Sequence, residues 1–201
     1  MNTHSGLIEG LVAFFRRFIQ LTDKEVEELL LPHVTIKRFE KKQLVSIYGE
    51  QEEWLYFLNE GCMRQYYVKD EEETTILFAR EGELISNTVS LFSRHPSHYF
   101  IEATEPCVAV AINYERLSVL MADHHKFEHL ALLIAIQAMA RKDERQLNLA
   151  RLSPRERFLK FAKQQPEIMR RVPQIYIASY LGIKPETFSR FKHLLRKSKR
   201  S

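Results

Sequence analysis

Gln174-Ile175-Tyr176-Ile177-Ala178-Ser179-Tyr180-Leu181-Gly182-Ile183-Lys184-Pro185-Glu186-Thr187-Phe188-Ser189-Arg190-Phe191-Lys192-His193-Leu194-Leu195-Arg196-Lys197 carries two helical periods broken by one turn. Ile175, Ile177, Ala178 and Leu181 supply the inner face of a first helix, with Ala178 small enough for two helices to cross closely there. Gly182 adopts left-handed backbone without penalty, which ends that helix. Ile183 plugs the turn, and Pro185 opens the second helix where a missing N–H costs nothing. Phe188, Phe191 and Leu195 face inward, leaving Glu186, Ser189, Arg190, His193 and Lys197 on the opposite side. Such a polar edge suits a major groove: Arg190 can bond bidentately to guanine, Glu186 can accept from a cytosine amine, and Ser189 lies beside them. Lys184, Thr187, Lys192, His193, Arg196 and Lys197 are placed for phosphates, which supply affinity without sequence. The alternative for a hairpin of this length is a purely structural helix pair.

Charge favours the first reading. Residues 151–201 hold 14 Lys and Arg but 3 Asp and Glu, against 16 and 23 in residues 1–150. A net +11 beside a net −7 implies two modules, the second meeting a polyanion. Charge alone does not separate DNA from RNA or anionic lipid. No run of eighteen apolar residues is present, so no membrane span is expected. The first ten residues lack the pattern of a secretion signal. Cys62 and Cys107 have no CxxC spacing and read as reduced core thiols of a cytoplasmic protein. His125 and His129 stand four apart without an evident third ligand, so no metal site is expected.

Upstream, Ser153-Pro154-Arg155-Glu156 combines an N-cap serine, proline at the first helical position and glutamate three after the cap. That restart places a linker at 150–152. Residues 126–151 contain no Gly or Pro and predict one long helix, apolar nearly all round from Leu130 to Ala140. Such a helix needs cover on two sides; a twin in a two-fold dimer is the economical second cover, an intramolecular cover the alternative. Residues 33–112 instead show short strand-like runs: Val34 to Phe39, Leu44 to Ile47, Leu55 to Leu58, Met63 to Val68, Thr74 to Ala79, Phe100 to Ala103 and Val108 to Ile112. Turn signals at Asn59-Glu60-Gly61 and at the acidic tip Asp70 to Glu73 separate them. The pattern predicts a β-barrel or jelly roll. Ahead of it, Leu11 to Leu21 reads as an amphipathic helix, and Thr22-Asp23-Lys24-Glu25 caps a short one ending before Pro32.

The stretch Gly182 to Arg190 resembles the G-x-S-x-E-T-x-S-R pattern of the Crp/Fnr regulators, with Glu186, Thr187, Ser189 and Arg190 matching. That resemblance implies base readout by Glu186 and Arg190. Lys184 stands where the family usually has a capping serine and Pro185 where it often has arginine. The family's β-hairpin wing looks trimmed to residues 166–173. Trp54 to Gly61 and Met63-Arg64 are similar to early strands of a cyclic-nucleotide-binding barrel, and Glu81-Gly82-Glu83-Leu84-Ile85 to the start of its phosphate-binding cassette. Glu83 matches the glutamate that takes a ribose hydroxyl. The cassette arginine falls on Ser97, which cannot make a charge-assisted bond to phosphate, and Lys142 and Asp143 stand where hydroxyls would meet a purine. Cyclic AMP is therefore expected to bind poorly or not at all, and no cofactor is implied. Gly82, Glu83, Leu84, Arg94, Ser97 and His98 form the candidate pocket for another effector.

The resulting expectation is an α+β chain. Residues 1–125 form a jelly-roll (double-stranded β-helix) sensor barrel with flanking helices, 126–152 a dimerisation helix and hinge, and 153–201 a winged helix-turn-helix. The expected partners are duplex DNA, a second copy and, from the resemblance, RNA polymerase, but no membrane. The rival is a cyclic-nucleotide or small-anion sensor whose basic C-terminal part docks to protein or membrane. An enzyme is disfavoured, because no GxSxG, no GxxxxGK[ST] and no paired acid–base set occurs.

Overall fold

The computed structural model describes residues 3–197. The chain divides into two compact units, residues 1–65 with 78–138, and residues 66–77 with 139–201.

Among the described residues the strands are β1 (Val34–Phe39), β2 (Leu44–Ser46), β3 (Trp54–Glu60), β4 (Cys62–Lys69), β5 (Glu72–Arg80), β6 (Leu84–Ile85), β7 (Phe100–Ala103) and β8 (Cys107–Asn113). They form two four-stranded sheets, ordered β1-β8-β3-β6 and β2-β7-β4-β5. This alternation of strands between two sheets is the jelly-roll order. β8 is central in its sheet: Val34 to Phe39 pair antiparallel with Ile112 to Cys107 on one side, and Trp54 to Glu60 with Asn113 to Val108 on the other. Its residues Cys107 and Ala109 to Ile112 are accordingly buried.

Two turns explain the chain path. Gly61 has φ +90°, and a Cβ there would lie 2.5 Å from both Cys107 Sγ and the Pro106 carbonyl oxygen. Since β3 and β4 belong to different sheets, Gly61 is a corner between sheets rather than a hairpin tip. The acidic tip is a two-residue turn, Asp70 and Glu71 both with positive φ, the type I′ geometry that matches strand twist. β6 is absent from the sequence expectation because two residues carry no readable alternation.

Helix α1 (Thr3–Phe15) starts earlier than the expected Leu11 and stops at Phe15. Arg16 then turns its Nε to the Leu21 carbonyl at 2.9 Å. α2 (Asp23–Glu25) has the predicted cap, with Thr22 and Glu25 closing a capping box. It runs into a π turn (Val26–Leu30) and a 3₁₀ turn (Leu31–His33) containing Pro32. α3 (Thr88–Ser93), α4 (Tyr114–Asp123) and α5 (His125–Arg151) follow. Leu11, Phe14, Phe57, Val110, Leu120, Phe127 and Leu130 make the centre of the first unit's core.

The second unit contains α6 (Pro154–Gln164), α7 (Pro166–Arg171), α8 (Gln174–Leu181) and α9 (Pro185–Lys197). Ser153 and Glu156 close the predicted capping box of α6. Its core is Phe158, Phe161, Ile168, Val172, Ile177, Ala178, Leu181 and Phe188. Two expectations need correction. Residues 166–171 are a helix opened by Pro166 with Ile168 buried, so no β wing occurs among the described residues of this part. Ile175 is 59% exposed, because α8 is only eight residues long and Ile177, Ala178 and Leu181 suffice to cover its inner side.

Candidate functional site

Helix α8 ends as the sequence requires. Gly182 has φ 62°, ψ 42°, and the Ile183 amide returns to the Ala178 carbonyl at 3.0 Å. These bonds satisfy carbonyls that a helix end otherwise leaves open. After Lys184, α9 starts at Pro185. Phe188, 1% exposed, meets Phe158 of α6 edge-on at 5.2 Å, and Phe191 lies 5.6 Å from the same ring. With that side fastened, Glu186, Ser189, Arg190 and His193 are all exposed, and so is Lys184. Thr187 and Lys192 are half-buried at the margins. The side chains of Arg196 and Lys197 lie outside the described residues. The structure therefore brings the candidate base-reading residues onto one solvent-facing edge of one helix.

Sequence reasoning missed what mounts this pair. Arg157 Nε donates to the Leu181 carbonyl at 2.8 Å, Nη1 to Leu152 at 2.7 Å and Nη2 to Gly182 at 3.4 Å. One guanidinium thus ties the end of α8 to the segment after α5, a use of five fixed donors that lysine cannot copy. Ser179 accepts from the Thr75 amide at 3.0 Å and donates to the Glu73 carbonyl at 2.9 Å, fastening α8 to the β4–β5 tip. Neither residue stands out in the sequence, since both act through backbone groups brought near by folding.

Helix α5 has 27 residues, a rod of about 40 Å at roughly 1.5 Å per residue. Phe127 and Leu130 are buried. Leu132, Ile136 and Met139 are 56%, 54% and 64% exposed, and Leu147 is exposed below them. Their spacing of four, three and eight puts an apolar stripe along one helix side.

In the barrel, the candidate effector residues have defined partners. Glu83 Oε2 accepts from the Arg80 amide at 3.1 Å, and its carbonyl accepts from Leu58 at 3.0 Å. Gly82, φ +79°, makes the turn beside it, and Leu84 lies in β6. Ser97 is buried: its hydroxyl donates to the Tyr99 carbonyl at 2.9 Å and accepts from the Tyr99 amide at 3.0 Å. Arg94, exposed and with φ 60°, stacks its guanidinium 4.6 Å from the centre of the Tyr114 ring. His98 is exposed.

A second polar set, not foreseen, is buried in the barrel. Arg64, 1% exposed, donates to Glu102 at 3.0 Å. Asn87 accepts from Gln65, and donates to the Ser46 hydroxyl and, at 3.1 Å, to the Tyr99 carbonyl. Glu52 accepts from the amides of Glu53 and Trp54, both at 3.1 Å, and its own amide donates to Ser90 Oγ at 2.9 Å. Burial pushes the Glu52 carboxyl above the usual carboxylate range, against the lowering effect of these amides and of Ser46. Among the described residues, no group of three His, Cys, Asp or Glu could hold a metal ion, and no helix is long and apolar enough to cross a membrane.

Comparison with known proteins agrees with this architecture. Residues 36–124 match the family model of the cyclic nucleotide-binding domain. By sequence, no curated protein matches the chain. Among solved structures, FixK2 from Bradyrhizobium japonicum is similar at TM-score 0.73 and 18% identity, over 83% of this chain and 86% of that one. The c-di-GMP responsive global regulator CLP from Xanthomonas campestris gives 0.69 at 18% identity, over 88% and 93%. The Thermus thermophilus catabolite activator protein gives 0.55 at 22%, over 90% and 87%. The chain thus combines a segment matching the cyclic nucleotide-binding domain with helices after it, in a fold that it shares along most of its length with these proteins.

Proposed function

We propose that this chain is a homodimeric, cytoplasmic transcription regulator, not an enzyme, that reads duplex DNA through α8 and α9 acting as a helix-turn-helix. The observation that carries this reading is the exposed edge Glu186–Ser189–Arg190–His193, held rigid by Phe188 against Phe158. Glu186, Ser189 and Arg190 contact bases; Lys184, Thr187, Lys192, His193, Arg196 and Lys197 contact phosphates. The net positive charge of residues 151–201 supplies the sequence-independent attraction. The stripe Leu132–Ile136–Met139 on α5 supports pairing with a second copy, which sets two readers on half-sites about 34 Å apart. RNA polymerase contact belongs to the same reading.

The barrel then serves as an effector domain that does not take cyclic AMP in the usual way. In support, Ser97 spends its hydroxyl on Tyr99, and Arg94 rests on Tyr114. Selection from a random duplex library at stated salt tests the regulator reading. A two-fold symmetric consensus is expected. Binding without enrichment of any sequence overturns it, and leaves a sensor module whose basic part docks elsewhere.

A further inference from the structure

Residues 66–77, the end of β4, the start of β5 and the turn between them, cluster with residues 139–201. β5 is an edge strand, so one row of its backbone groups has no neighbouring strand to pair with. Helices fill that row. The amide of Thr75, a fully buried residue, donates to Ser179 Oγ of α8 at 3.0 Å, and its carbonyl accepts from Arg145 Nη2 of α5 at 3.3 Å. Ser179 donates in turn to the Glu73 carbonyl at 2.9 Å. The same Arg145 Nη2 reaches the Tyr180 carbonyl at 3.3 Å. The Tyr180 ring lies 4.9 Å from that guanidinium and 5.4 Å from the Phe161 ring of α6. Two adjacent residues of α8 are therefore gripped, Ser179 by the hairpin and Tyr180 by α5 and α6.

Two observations say that this grip orients α8 more than it holds the unit together. The apolar core of the unit lies in Phe158, Ile177, Leu181 and Phe188, while the grip is made of hydrogen bonds, which depend on angle as well as distance. Arg145 is also buried at a cost, with no carboxylate among the described residues beside it. A charge placed so adds less stability than a packed apolar side chain would, yet it specifies one arrangement of its partners.

We propose that the β4–β5 hairpin is a strut that fixes the angle between α5 and the α8–α9 pair, so that Arg145 and Ser179 set the half-site spacing that the protein accepts. This rests on the regulator reading and deepens it. Glu186 and Arg190 choose bases; Arg145 and Ser179 are positioning residues that choose a distance. Because α5 carries the seam proposed for the dimer, its angle to the reading pair decides how far apart the two readers stand. One base pair more or less moves a half-site by about 3.4 Å, a step that bonds of this geometry do not follow without breaking.

Selection from a random duplex library, scored for the distance between half-sites, tests the strut in the full chain. The native chain is expected to prefer its own spacing by about tenfold over one changed by a base pair, the scale of one or two hydrogen bonds. Ser179→Ala and Arg145→Gln should keep the half-site sequence while that preference falls to about threefold or less. Ser179→Thr, which keeps the hydroxyl, should retain it. A merely structural role would weaken binding to every spacing alike. The inference is overturned if both variants stay as strict as the native chain, or if the native chain is itself indifferent to spacing. It is also overturned if Ser179→Ala no longer folds by urea titration, since the contacts would then build the unit instead of orienting it. A native chain that selects no sequence refutes the regulator reading; one that selects a spaced sequence with equally strict variants refutes the strut alone.

Discussion

The ring of Phe188 stands at 82° to that of Phe158, with 5.2 Å between centres, and this contact decides which side of α9 remains for a partner. A helix has one polar edge to offer only if its opposite side is fixed. Here the fixing residue comes from α6, whose start is in turn set by the Ser153–Glu156 capping box.

Replacing Phe158 with Ala removes a side chain that is fully buried and touches both Phe188 and Phe191. A loss of about 3–5 kcal/mol is expected. Calorimetry should show a lower unfolding temperature for the variant than for the native chain.

Two glycines separate steric from conformational cost. Ala at Gly61 would press its Cβ to 2.5 Å from Cys107 Sγ and from backbone, so Gly61→Ala should fail to give soluble folded protein. At Gly182, φ +62°, the nearest atom to a new Cβ is Leu149 Cδ2 at 3.5 Å. Gly182→Ala should therefore fold, with a loss of about 1–2 kcal/mol from the left-handed backbone, measurable by urea titration.

Acid should act through Glu25. Its carboxyl is pulled down to about 2, first by the hydrogen bond from Lys126, then by the Thr22 amide and hydroxyl. A lowered folded-state value means that the stabilisation is complete above the unfolded value near 4.5 and fades as pH falls toward 2. Glu25→Gln should be less stable than the native chain at pH 7, and the gap should close between about pH 4.5 and 2. An unchanged gap across that range would contradict the assignment.

The α5 stripe predicts the oligomer. Ile136→Arg puts a charge into the proposed seam, and light scattering should then report a mass near 23.8 kDa, with the native chain about twice as heavy. The same native protein should show no micromolar binding of cyclic AMP by isothermal titration.

Local signals were legible in the sequence. The cap at Ser153, the left-handed Gly182, the helix start at Pro185 and the strand runs of the barrel each depend on residues within a few positions. What stayed hidden depends on distant partners. Arg64 and Glu102 are 38 positions apart, and Cys62 through Tyr66 are all buried, so the strand lacks the alternation that would reveal which polar residues face inward. Arg157 and Ser179 act on backbone atoms 24 and 106 positions away, which no motif records. The wing failed for a local reason: residues 166–171 have a proline start and Ile168 to bury, which suits a helical turn better than a hairpin.

The most direct measurement compares the native chain with Arg190→Ala, each binding a selected duplex and a scrambled one at one stated salt concentration. The account predicts that the variant loses about 1–3 kcal/mol of preference for the selected duplex while its affinity for the scrambled duplex changes little. Equal preference in both proteins would contradict it.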